Sequence, residues 1–380
     1  MSIEHYFNEL KKIYESIISF IDDESGEETN YQNLIKLFDD LKIRENKYEL
    51  KSILHLLLNI SNNHHRNSSF FDKIGQIFTY FKDQIKQTLT NYMIFNIFQS
   101  NKRILLLLIE LEIFTLDLAI LDSLEIKKYV SLFYIHYFFP ETKPFFNKES
   151  ADRLTEEMPK VFVDDLDEFK EIRRNGENDS YICTLIRNDL VEDFITHVSQ
   201  TNLPLAETTI PPSIYETNCF IAERNPTLIE YAAFHGSIQI FRYLQNCEVQ
   251  LTPSIWLYAI HSNNAELIHL LIEFNVHPPN ESYVKCLEES IKCHHNEITY
   301  YIKENLLSKT ENEVISSSSL KYYNFGELQI DSINQDYFYE LCMYDYFQFV
   351  EVLLKCRDVD INTKINRRVF FYQNIFFIEF

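Results

Sequence analysis

The segment from Thr227 to Leu244, TLIEYAAFHGSIQIFRYL, restricts the fold more than any other stretch. At helical spacing, Leu228, Ile229, Ala232 and Ala233 make one apolar stripe, and Ile238, Ile240, Phe241 and Leu244 make a second. Gly236 stands between them, where a left-handed residue ends a helix at no steric cost. Thr227 is placed to cap the first helix with its hydroxyl. The segment predicts two short antiparallel helices, and the paired alanines let them approach closely. Neither helix can hide its stripe alone, so further copies must stack on it.

Further copies follow. SIWLYAIHSNNAELIHLL (Ser254 to Leu271) repeats the pattern, with Ala259 for Ala232 and Asn263 for Gly236. Asn also tolerates the left-handed conformation. SYVKCLEESIKCHHNEITYYI (Ser282 to Ile302) supplies a third copy with Ser290 at the alanine position. YFYELCMYDYFQFVEVLLK reads as a fourth, in which Val350, Val352, Leu353 and Leu354 form the second stripe. A degenerate opening copy lies in Ser180 to Val198, turning at Arg187-Asn188-Asp189.

The arrangement T-x-[LI]-x-x-A-A-x-x-G-x-x-x-I-x-x-x-L, carried by Thr227, Ile229, Ala232, Ala233, Gly236, Ile240 and Leu244, resembles the ankyrin repeat. Glu230 stands where that family has the His of its Pro-Leu-His. Together the copies resemble a large protist family in which a helical domain of unknown function precedes divergent ankyrin repeats. The resemblance implies an all-α fold, with a helical N-terminal domain followed by an ankyrin-repeat α-solenoid. Residues 1–145 are then the helical domain, and 146–212 a charged helical connector with the first degenerate repeat. Residues 213–362 are the divergent repeats, interrupted by a Ser- and Glu-rich insertion at about 309–335. Residues 363–380 form an apolar tail that reads as a truncated repeat open to self-association.

In the N-terminal part, Ile3, Phe7, Leu10, Tyr14, Ile17, Ile18 and Ile21 recur at steps of three and four, predicting one amphipathic helix. Tyr31 to Leu41, Tyr48 to Ile60 and Phe70 to Phe81 follow as helices, with a polar loop over Ser61 to Ser69. The run Ile104 to Leu121 is long enough to raise the question of a membrane span. Glu110, Glu112 and Asp117 would each cost about 2.5 kcal/mol or more at mid-bilayer, so a buried core helix is expected instead. The start, MSIEHYFNELKK, has no basic segment leading into an apolar one, so no secretory signal is expected.

A net charge of −22 repels phosphate backbones and anionic membranes, and no basic cluster offsets it, so nucleic-acid binding and membrane insertion are not expected. With five isolated glycines, no phosphate-cradling loop can be drawn. The seven scattered cysteines show no disulfide framework, which points to a reducing setting, cytoplasmic or nuclear.

Cys286, Cys293, His294, His295 and Glu297 are the densest set of ligand-type residues, but they lack the paired spacing of a zinc site. The pattern places His294, His295 and the His64-His65 pair in solvent-exposed turns. Cys183 and Cys247 read as small packing residues. No catalytic residue, metal site or cofactor is predicted, and the expected function is a non-catalytic protein-binding scaffold. The alternative is an enzymatic or metal-dependent activity in the N-terminal domain, for which there is no motif. Ankyrin-type arrays meet partners through loop tips and exposed first-helix residues. Carried over, these are Asn225, Phe234, His235, Thr252, His261, Ser262, Lys292 and Cys293.

Overall fold

In the computed structural model, the residues described are 3–125, 130–156, 165–307, 312–329 and 337–356. They are helical, with a single isolated β-bridge between Thr209 and Thr227. The chain begins with α1 (Ile3–Asp22), α2 (Glu28–Asp40), α3 (Lys47–Asn63), α4 (Phe70–Thr88), α5 (Asn91–Phe98), α6 (Lys102–Glu110), α7 (Leu118–Glu125) and α8 (Val130–Tyr137). The charged stretch carries α9 (Lys148–Glu156) and α10 (Leu166–Asn175). Helix pairs follow: α11 (Tyr181–Arg187) with α12 (Val191–Thr201), α13 (Leu228–His235) with α14 (Ile238–Asn246), α15 (Ile255–His261) with α16 (Ala265–Glu273), and α17 (Val284–Lys292) with α18 (Asn296–Tyr301). The described chain closes with α19 (Asn312–Tyr322), α20 (Phe338–Met343) and α21 (Phe347–Cys356).

One local device recurs at the ends of most first helices. A residue in the left-handed region stops the helix, and the next N–H reaches back to the carbonyl five residues earlier. Ser237 N–H donates to Ala232 O at 3.0 Å across Gly236 (φ 67°). The same bond joins Leu190 to Leu185 across Asp189, His295 to Ser290 across His294, Asn324 to Ser319 across Tyr323, and Tyr346 to Leu341 across Asp345. Asn263 (φ 52°) takes the left-handed position after α15. The carbonyl-bearing residues Leu185, Ala232, Ser290, Ser319 and Leu341 are all buried, as is Ala259. Four of these six are Ala or Ser, and α13 packs on α15, α15 on α17 and α17 on α19 along this stripe.

The cap at Thr227 forms as expected. Glu230 N–H donates to Thr227 Oγ1 at 3.4 Å, and Thr227 N–H donates to Glu230 Oε2 at 3.0 Å. Glu230 also bridges to the next unit, accepting from Ser254 Oγ at 2.6 Å. Trp256 is fully buried in α15, and its indole N–H donates to Val276 O at 2.8 Å.

Several expectations need correction. The Ile104–Leu121 run is two helices, α6 and α7, because Glu112 turns left-handed (φ 56°) and breaks the first. Among the described residues, no helix is long and apolar enough to cross a membrane. The segment expected from Phe70 to Phe81 continues to Thr88. Within the region read as an insertion, α19 packs on α17 as a further first helix. In α21 Leu353 is buried, whereas Leu354 is exposed and does not join the stripe. Cys247 is exposed, while Cys183 is buried as expected. The apolar tail 363–380 lies outside the described residues.

The apolar core does not follow the order of the chain. One buried cluster runs from Cys183 to Ile315 through the helix pairs. A second joins α1–α8 to Leu320, Tyr323, Phe325, Leu341, Tyr346, Phe349 and Leu353, and a small third holds Phe139, Phe169 and Tyr215. Residues from α19 to α21 therefore complete the core of the N-terminal helices, with Tyr6 and Phe349 edge to face at 5.1 Å.

Candidate functional site: a histidine-lined seam

α3 ends at His64, whose extended backbone (ψ 152°) turns the chain outward into a short loop. That loop lies against the C-terminal ends of α13, α15 and α17 and against the segment around Thr217. Arg66 holds it in place, donating to Ser61 O at 3.1 Å, Thr217 Oγ1 at 3.2 Å and Gly176 O at 3.5 Å. A small recess remains between the two parts, lined by His64, His65, Arg66, Glu216, Phe234, His235 and His261.

The end residues of the first helices supply most of the histidines. His64 Nδ1 lies 2.8 Å from Cys293 O, and its Nε2 lies 2.7 Å from Asp22 Oδ1. Both partners are oxygen acceptors, so the ring is held from both sides. The His64 ring stands 5.0 Å from His295 and 6.4 Å from His294, and His294 packs against Tyr14 of α1 at 5.7 Å. His294 and His295 are each 3% exposed, and neither ring makes a hydrogen bond through either nitrogen. Leaving a buried polar group without a partner costs about 1–3 kcal/mol. His294 adds backbone strain, because it holds φ 60° where Gly or Asn is at ease. Burial drives both rings well below the ordinary histidine pKa, and the His64 charge pushes in the same direction.

A second group sits beside them. His261 Nδ1 faces Cys293 Sγ at 3.4 Å, and His261 Nε2 faces Glu289 Oε1 at 2.7 Å. Lys292 Nζ donates to the same Glu289 oxygen at 2.8 Å. Thiol, imidazole and carboxylate stand in the order that activates a cysteine nucleophile. Here, however, Cys293 is 0% exposed and burial drives its pKa well up, so the thiol stays protonated and out of reach. Glu289 is held at a pKa of about 2 by His261 and Lys292 despite its burial. Burial keeps His261 below its ordinary value, while the Glu289 carboxylate holds Lys292 above its own despite burial.

The three donor atoms lie within 4.8 Å of one another, close enough to suggest a metal site. The imidazole decides against it. Its two nitrogens point to opposite sides of the ring, the thiol faces one and the carboxylate faces the other. As they stand, the thiol and the carboxylate therefore do not converge on one ring nitrogen.

The residues proposed from the sequence as partner contacts divide sharply. Asn225 and Thr252 are exposed at loop tips. Phe234, His235 and Lys292 are half-buried. His261, Ser262 and Cys293 are buried and cannot form an exposed binding face. His64, His294 and His295, expected in solvent, are also buried. Helical periodicity places Phe234, His235, His261 and Lys292 near the ends of first helices, but it carries no information about another part of the chain lying over those ends. Replacing His261 by leucine is therefore expected to destabilise the fold by about 2 kcal/mol through the lost Glu289 bond. Urea titration checks this, and an unchanged midpoint would mean that the His261–Glu289 contact contributes nothing.

No protein-family model, curated protein or solved structure matches the chain.

Proposed function

We propose that the chain is a non-catalytic protein-binding scaffold built from divergent ankyrin-type helix pairs, and that its partner meets the loop tips. The observation that carries this reading is the division of the inner surface. The ends of the first helices are already engaged by the chain's own N-terminal helices, while Asn225 and Thr252 remain open. A net charge of −22 favours a basic partner. Support also comes from the cysteine, histidine and glutamate of the seam, which are consumed in contacts within the fold.

Photo-cross-linking residues at Asn225 and Thr252 should capture a discrete basic protein in native extract. The same residue at exposed Tyr92, in α5 of the N-terminal helices, should not. Equal capture from all three positions would defeat the assignment of the tips.

A further inference from the structure

The buried histidines sit where two parts of the chain meet, which gives the contact a chemical trigger. We propose that the seam is an acid-released closure: protonation of His294 and His295 parts the N-terminal helices from the ends of α13, α15 and α17. The inference does not depend on what binds the loop tips.

The surroundings of these two rings leave an added proton without compensation. From α1 they meet the Tyr14 phenol, and Asp22 beyond it is engaged by His64. The loop after α3 brings His64 itself, whose ring nitrogens are taken up by Cys293 O and Asp22 Oδ1, together with His65. On the helix-pair side His261 adds to the resistance of His295 to a proton, and the Glu289 carboxylate is already taken by His261 and Lys292. Neither ring has a hydrogen-bond partner of any kind. A proton added to either ring would therefore be a buried charge beside a like charge.

The sign follows from proton uptake. In the open form both rings would titrate near the ordinary value of about 6.5, whereas in the closed form they resist protonation. The closed form then binds fewer protons below about pH 6.5 and loses ground as the pH falls, while above that value it is fully favoured. Two such rings shift the balance by up to about a hundredfold per pH unit within the window.

Hydrogen exchange of the full chain at about pH 7.5 and about pH 5.5, corrected for intrinsic rates, tests the proposal. Protection across residues 60–70 and 286–298 should fall at least tenfold at the lower pH, while α14 keeps its protection. The double variant His294→Asn, His295→Gln should keep the seam protected at both values. Equal protection of the wild type at both pH values would overturn the proposal. So would loss spread through every helix, or loss in the variant at the same pH as in the wild type. Should the variant not fold, ring NMR of the wild type decides. Protonation of His294 and His295 coincident with opening supports the closure, and protonation of either ring within a seam that stays protected overturns it.

Discussion

Trp256→Ala should lower stability by about 3–5 kcal/mol, the usual cost of removing a large buried aromatic side chain. Trp256 is completely buried in α15 and meets Tyr283 edge to face at 5.1 Å. Its indole N–H satisfies the Val276 carbonyl that follows α16, so truncation opens a cavity and strands an acceptor together. Because α15 packs on both α13 and α17, the damage should spread along the stack. Urea unfolding followed by circular dichroism reads the effect directly. Trp256→Phe should recover much of the packing but not the hydrogen bond. An alanine variant with the wild-type midpoint would mean that these helices are not stacked as described.

Arg173→Ala is expected to cost about 3 kcal/mol. The Arg173 guanidinium in α10 makes a bidentate pair with Glu141, at 2.8 and 2.9 Å, and also donates to Tyr137 O at 2.7 Å. Tyr137 returns the contact, its hydroxyl donating to Arg173 O at 2.9 Å. Removing the cation leaves a partly buried carboxylate and a buried carbonyl unpaired. Replacing both partners, as in Arg173→Met with Glu141→Leu, should restore most of the loss, because no uncompensated charge then remains. Equal destabilisation by the single and double variants would show that packing of the arginine stem, not its charge, holds α10 against α8.

Both substitutions test features that differ in how openly the sequence displays them. The helix pair of α13 and α14 is written locally. Thr227 caps, Gly236 turns left-handed, and the two stripes recur at helical spacing. Asn263 announces its turn in the same way. The matching turns at His294 and Tyr323 give less warning, since neither residue marks a left-handed turn as Gly or Asn does. For that reason α19 reads as part of an insertion although it packs on α17 as a further first helix.

The chain's own residues are enough to determine an all-helical protein with short paired helices, because capping, left-handed turns and stripe spacing act within a few residues. What lies over those helices is another matter. The burial of His64, Cys293, His294 and His295, and the union of α19–α21 with the N-terminal core, arise from contacts between segments far apart in the chain, such as His64 and Cys293. Periodicity registers which side of a helix is apolar. Whether a polar helix end faces water or another part of the same chain depends on where distant segments come to rest, and only the tertiary structure decides that.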